Sequence, residues 1–112
     1  MIKKRPWGIC EILAEAIDYR CKRIAIDPGH ELSMQSHPHR HLTWTIVSGE
    51  GRAELGVDAI TIGADGISSK FRDTPIYKWN VYPGTTLLVP PQCIHRIKCL
   101  DKSNEPLIYI EV

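Results

Sequence analysis

No stretch of the chain approaches the roughly 18 uninterrupted apolar residues that a membrane span requires. The basic start, Met1-Ile2-Lys3-Lys4-Arg5, has no apolar run behind it, so a soluble, cytoplasmic protein without a membrane partner is expected. Charge of one sign is also missing. Fourteen Lys and Arg stand against thirteen Asp and Glu, spread along the chain, which removes nucleic acid as an implied partner. Cys10, Cys21, Cys93 and Cys99 show no Cys-x-x-Cys spacing and are expected to stay free thiols. Linkers, repeats and low-complexity segments are absent too. What remains, 112 residues with 43% apolar content, reads as one domain over 1–112, large enough to bury a core without disulfide or metal staples.

What is present is a series of short β-branched and aromatic segments. Ile9 to Leu13, Tyr19 to Ile26, Leu42 to Val47, Arg52 to Leu55, Tyr77 to Val81, Thr85 to Val89, Ile94 to Cys99 and Leu107 to Val112 read as strands. Asp27-Pro28-Gly29, Ser48-Gly49-Glu50-Gly51, Pro83-Gly84 and Asp101-Lys102-Ser103-Asn104 separate them with turn chemistry. Only Glu11 to Ile17 competes as a helix, and it lacks good caps. The pattern predicts an all-β sandwich or barrel.

Three of the five histidines lie in Gln35-Ser36-His37-Pro38-His39-Arg40-His41. In an extended strand, side chains two apart share a face, so Gln35, His37 and His39 would present a carboxamide and two imidazoles together. His95 follows the rigid Pro90-Pro91 stop and shares a strand face with Cys93, Ile97 and Cys99, while Arg96 and Lys98 take the other. His37, His39 and His95, with Gln35 as a further donor, are therefore the candidate metal ligands. Imidazoles suit Zn, Fe, Mn, Ni or Cu, so this set does not choose the metal. His41 and Cys93 are weaker candidates: a histidine at a strand bend is more often solvated, and a thiol of this kind is more often a small buried hydrophobe.

These residues resemble a family. Pro28-Gly29, Leu32-Ser33-Met34-Gln35-Ser36-His37-Pro38-His39-Arg40, Trp44 and Val47-Ser48-Gly49 look like the first motif of the cupin superfamily, and more narrowly of the C-terminal cupin domain of type II phosphomannose isomerases, including those fused to mannose-1-phosphate guanylyltransferase. Arg5-Pro6-Trp7-Gly8, Tyr19-Arg20-Cys21-Lys22-Arg23-Ile24, Pro90 with His95-Arg96, and Pro106 to Val112 match in the same order. The resemblance implies a single-domain cupin, a double-stranded β-helix or jelly-roll barrel, holding a divalent ion. Zinc is the expected metal, with Fe, Mn or Ni as alternatives. It further implies a carbohydrate or sugar-phosphate ligand, which Lys22, Arg23, Arg40 and Trp44 could meet, and a homodimer paired through an edge strand, with Leu107 to Ile110 expected as an exposed apolar strand.

The departures are as informative. Where the family carries a glutamate ligand two residues after the arginine, this chain has Leu42, and near the second motif the family's glycine and asparagine are replaced by Gln92 and Cys99. Losing an anionic ligand lowers the expected affinity for a cation. No general base is apparent, since Glu31, Glu50 and Glu111 sit beside turns or the terminus, where solvated carboxylates are the rule. The segment at about 57–80 is longer than the family's connection and is expected to form an added hairpin, a lid or an exchanged arm. Three functions follow: a phosphomannose-isomerase-like metal enzyme, a three-histidine iron dioxygenase, or a non-catalytic sugar-binding module.

Overall fold

The structure, a computed structural model, describes residues 1–37, 39–56, 76–91, 93–100 and 104–112. These residues form nine strands: β1 (Ile2–Arg5), β2 (Gly8–Glu15), β3 (Arg20–Ile26), β4 (Leu42–Ser48), β5 (Gly51–Gly56), β6 (Tyr77–Val81), β7 (Thr86–Val89), β8 (Ile94–Cys99) and β9 (Leu107–Glu111). All pairings are antiparallel. One sheet runs β1-β2-β3-β9-β4-β7 and the other β6-β5-β8. The segment that competes as a helix is strand instead: β2 runs through to Glu15, paired residue for residue with β3 apart from one bulge between Ile12 and Ala14. Among the described residues no helix is long and apolar enough to cross a membrane.

Alternation decides what each strand buries. Ile24 and Ile26 of β3, Leu42, Trp44 and Ile46 of β4, Ala53 and Leu55 of β5, Ile97 and Cys99 of β8, and Leu107 and Tyr109 of β9 point into one core. Each large apolar side chain removed from water there stabilises the fold by about 1.5–3 kcal/mol before entropy is counted. Glu54, on the opposite face of β5, stands directly across from Arg96 and Lys78, and accepts a hydrogen bond from Arg96 Nε at 2.7 Å. That ion pair lowers the Glu54 pKa and raises that of Arg96.

The strand that the sequence reading leaves out is β1. Its residues, Ile2-Lys3-Lys4-Arg5, are all exposed and three of the four are basic, as suits a sheet edge that must not template another chain. It folds back through Pro6-Trp7 onto β2, and Gly8 makes that return possible. Gly8 has φ +151° and lies so close to β3 that an added Cβ would collide with the Ala25 carbonyl. The Trp7 carbonyl is then fixed by the Asp27 amide at 2.9 Å. Arg5 and Trp7 are thereby brought over the open end of the core.

Four free cysteines, two half-buried and two buried, replace any disulfide among the described residues. Residues 57–75, the greater part of the expected hairpin or lid, lie outside the described residues, and Tyr77 onward is β6.

Candidate functional site: a cationic cavity between the sheets

The site is assembled by a segment that is not itself a strand. Residues 30–35 run antiparallel along the free edge of β8, with bridges Glu31 to Lys98 and Gln35 to His95. The Gln35 amide donates to the His95 carbonyl at 3.0 Å, and the His95 amide returns a bond to the Gln35 carbonyl at 2.7 Å. Two residues beyond that pair, His37 reaches His95, the ring centroids 5.2 Å apart.

A cavity of about 190 Å³ opens there. Its buried end is made by Trp44, Tyr109, Ile24 and His95, all no more than 4% exposed. Its open end carries Arg5, Trp7, Gln35 and Arg40, and Lys22, Arg96 and Glu111 lie on its walls.

The electrostatics follow from burial and from what each donor can do. A carbonyl only accepts, so the 3.0 Å contact between His95 Nδ1 and the Cys93 carbonyl puts the proton on Nδ1 and leaves Nε2 as a lone-pair acceptor. Desolvation lowers the His95 pKa. Desolvation also lowers that of His37, and the Arg40 guanidinium adds to it. Arg40 Nη2 stands 2.8 Å from His37 Nδ1 and 3.4 Å from Nε2, so one cationic nitrogen covers both ring nitrogens. Both imidazoles are neutral near pH 7.

Glu111 is the carboxylate of the cavity, its side chain 15% exposed. The Trp44 indole donates to its Oε1 at 2.9 Å, while its Oε2 lies 4.0 Å from Lys22 Nζ. Trp44 in turn packs edge-on against both His95 and Tyr109, with centroids at 5.6 and 5.7 Å.

A family profile, mannose-6-phosphate isomerase C-terminal, matches residues 2–71. The chain belongs to this family. Among curated proteins, the mannose-1-phosphate guanylyltransferase of Escherichia coli is 40% identical over 51 residues, 46% of this chain. The chain spans only 11% of that relative's length. In solved structures, KdgF from Halomonas sp. superposes with a TM-score of 0.68 at 18% identity, covering 99% of this chain and 85% of KdgF. The Drosophila melanogaster CENP-C cupin domain superposes with a TM-score of 0.73 at 8% identity, covering 100% of this chain and 73% of that one. The fold is that of a cupin.

Within this family member the residues singled out from sequence divide into two groups. His37, His95, Gln35, Lys22, Arg40 and Trp44 surround the cavity, Gln35 tying the segment down through its backbone. His39 and His41 are exposed and line an adjoining surface concavity that shares Lys22, Arg40 and Glu111 with the cavity. Inward parity passes from the odd positions, ending at His37, to the even ones, Arg40, Leu42, Trp44 and Ile46. Arg23 is one residue from inward-facing Lys22, pairs with Glu11 and Ile110, and is not among the cavity's lining.

As placed, the donors do not fit a divalent ion. A catalytic centre needs about three protein ligands converging on one point, and among the described residues no three His, Cys, Asp or Glu side chains do so. Both nitrogens of His37 face a guanidinium, and His39 lies outside. Leu42, at the position of the expected carboxylate, is 5% exposed and packed in the core. Burial keeps the Cys93 thiol protonated by raising its pKa.

The sequence reading passes over Arg5 and Tyr109 as site residues and sets Glu111 aside as a solvated terminus. The signal for the latter two is the alternation Leu107, Tyr109, Glu111, which continues the inward face of β9 to its last residue.

Because both imidazoles have pKa values below the ordinary 6.5, the unfolded chain binds more protons than the folded one once pH falls below about 7. The stability they contribute is present above that pH and is lost as pH falls through the depressed folded values. The urea midpoint should stay level above about pH 7.5 and decline from about pH 7 to 5.5, and His95→Gln should flatten the decline. A midpoint that rises on acidification would contradict the neutral assignment.

Proposed function

We propose that this chain is a cupin module that binds an anionic monosaccharide, a hexose phosphate of the mannose series, with its own cationic side chains. One observation carries the reading: Arg5, Lys22, Arg40 and Arg96 surround a cavity whose lining, among the described residues, includes a single carboxylate, Glu111. Arg96 is engaged by Glu54 and Glu31, and Lys22 faces Glu111. Arg5 and Arg40 make no ion pair with a carboxylate among the described residues, so their charge is available to a ligand. Planar guanidinium forks match phosphate oxygens two at a time, and half-buried Trp7 supplies an aromatic face on which sugar C–H groups pack.

Size supports a monosaccharide over a sugar nucleotide. The cavity's 190 Å³ lies below the about 300–1,000 Å³ of sites for drug-sized ligands. Family membership supports the mannose series, since the matching profile is named for mannose-6-phosphate isomerase and the E. coli relative for mannose 1-phosphate. The three-histidine dioxygenase reading requires His39 beside His37 and His95, whereas His39 lines the adjoining concavity.

A second reading adds turnover. Isomerisation moves a proton between adjacent carbons, which needs a base within reach of the sugar and an acid form to return it. Glu111 and the Nε2 lone pair of neutral His95 border the same cavity, and the Trp44 indole holds the carboxylate in place.

Isothermal titration with mannose 6-phosphate tests the first reading. Wild type should bind saturably, and Arg40→Ala should weaken binding about tenfold, the scale of one charge-assisted hydrogen bond. Equal affinity in wild type and variant would remove Arg40 from the site, and no binding by wild type at millimolar concentration would sink the reading. For turnover, mannose 6-phosphate incubated with the protein in D2O should gain deuterium at C2, and Glu111→Gln should abolish the exchange. Absence of exchange in wild type leaves a binding module.

A further inference from the structure

Tyr109 carries a hydroxyl that the fold itself does not use. The residue is 0% exposed in the middle of β9, and its side chain lines the cavity beside Trp44, Ile24 and Cys10. Among the described residues its hydroxyl is the one buried side-chain oxygen or nitrogen without a hydrogen-bond partner. Leaving such a group unpaired destabilises the fold, and a phenylalanine would fill the same space without that cost. Buried polar groups are nearly always satisfied, so a partner that enters the cavity is the physical explanation.

Glu111 lies two residues further on the same inward face of β9. Its Oε1 is occupied by the Trp44 indole, but its Oε2, 4.0 Å from Lys22 Nζ, is beyond hydrogen-bond distance of that cation. Tyr109, whose phenol can donate, and Glu111, whose Oε2 can accept, therefore both line one cavity. An alcohol both donates and accepts, and is the group that this pair complements.

Resting on the anionic-monosaccharide reading, we infer that Tyr109 and Glu111 read a hydroxyl of the ligand's sugar ring, with Tyr109 as the specificity-determining residue. The ligand then enters with its polyol end at Tyr109, and its anionic group stays at the open end between Arg5 and Arg40. Selectivity for a sugar phosphate over free phosphate arises at the buried end, where phosphate alone makes no contact.

The test compares two probes, mannose 6-phosphate and inorganic phosphate, on wild type and Tyr109→Phe by isothermal titration, with thermal denaturation of both proteins. The variant should lose about tenfold in affinity for mannose 6-phosphate. Its affinity for phosphate should stay within about twofold, and its Tm should be no lower than that of wild type, because an unpartnered hydroxyl has been removed. Unchanged mannose 6-phosphate affinity in the variant would overturn the inference while leaving the anionic-ligand reading standing. Equal losses for both probes, or a Tm lowered by several degrees, would overturn it too, by showing that the hydroxyl serves packing or an internal bond. Wild type that binds neither probe would overturn the anionic-ligand reading and this inference with it.

Discussion

The reciprocal backbone pair between Gln35 and His95 is the constraint on which the site depends. It ties an irregular segment to the free edge of β8 at one residue, and so fixes what comes next on either side. His37 is brought against His95, and the chain then turns so that Arg40, Leu42, Trp44 and Ile46 enter with their side chains toward the core. A slip of one residue would present Ser36 and the outward histidines instead. The buried end of the cavity is similarly determined by β9, whose inward residues are an aliphatic anchor, a phenol and a carboxylate in succession.

Around this frame the charges are arranged by desolvation more than by pairing. The two imidazoles are kept neutral by burial and by a neighbouring guanidinium, so they offer hydrogen bonds without adding charge. Permanent charge is left to lysine and arginine, which do not lose it near neutral pH. Around the cavity this positive charge is spread over Arg5, Lys22, Arg40 and Arg96. Leu42 belongs to the same arrangement: an aliphatic side chain at the expected carboxylate position packs the core and supplies no anion there.

Much of this was legible in the chain, and the limits have physical causes. The inward set of β8, His95, Ile97 and Cys99, is readable because that strand is regularly paired along its length. His39 is different. Counting by twos from His37 holds only while the chain is a paired strand, and the pairing with β8 ends at Gln35. Arg23 was grouped with Lys22 by its charge, although adjacent strand residues face opposite ways. Strand β1 carries no hydrophobic alternation because an edge strand exposed on both faces needs none. Glu111 continues the alternation of Leu107 and Tyr109, but its place near the C-terminus suggests solvent, and the expectation of an exposed strand at Leu107 to Ile110 fails because β9 is hydrogen-bonded on both sides, between β3 and β4.

The central claim is that the cavity takes a hexose phosphate with the protein's own cations and without an added metal. The indole N–H of Trp44 is the direct reporter, since it donates to Glu111 inside the cavity, whereas Trp79 is 40% exposed on β6, stacked on Tyr77 away from it. A two-dimensional ¹H–¹⁵N spectrum recorded during titration with mannose 6-phosphate, at pH 7.5 with EDTA present, should show the Trp44 indole signal shifting saturably while that of Trp79 stays still. A Trp44 signal that does not move, or that moves only after a divalent metal is supplied, would contradict the account.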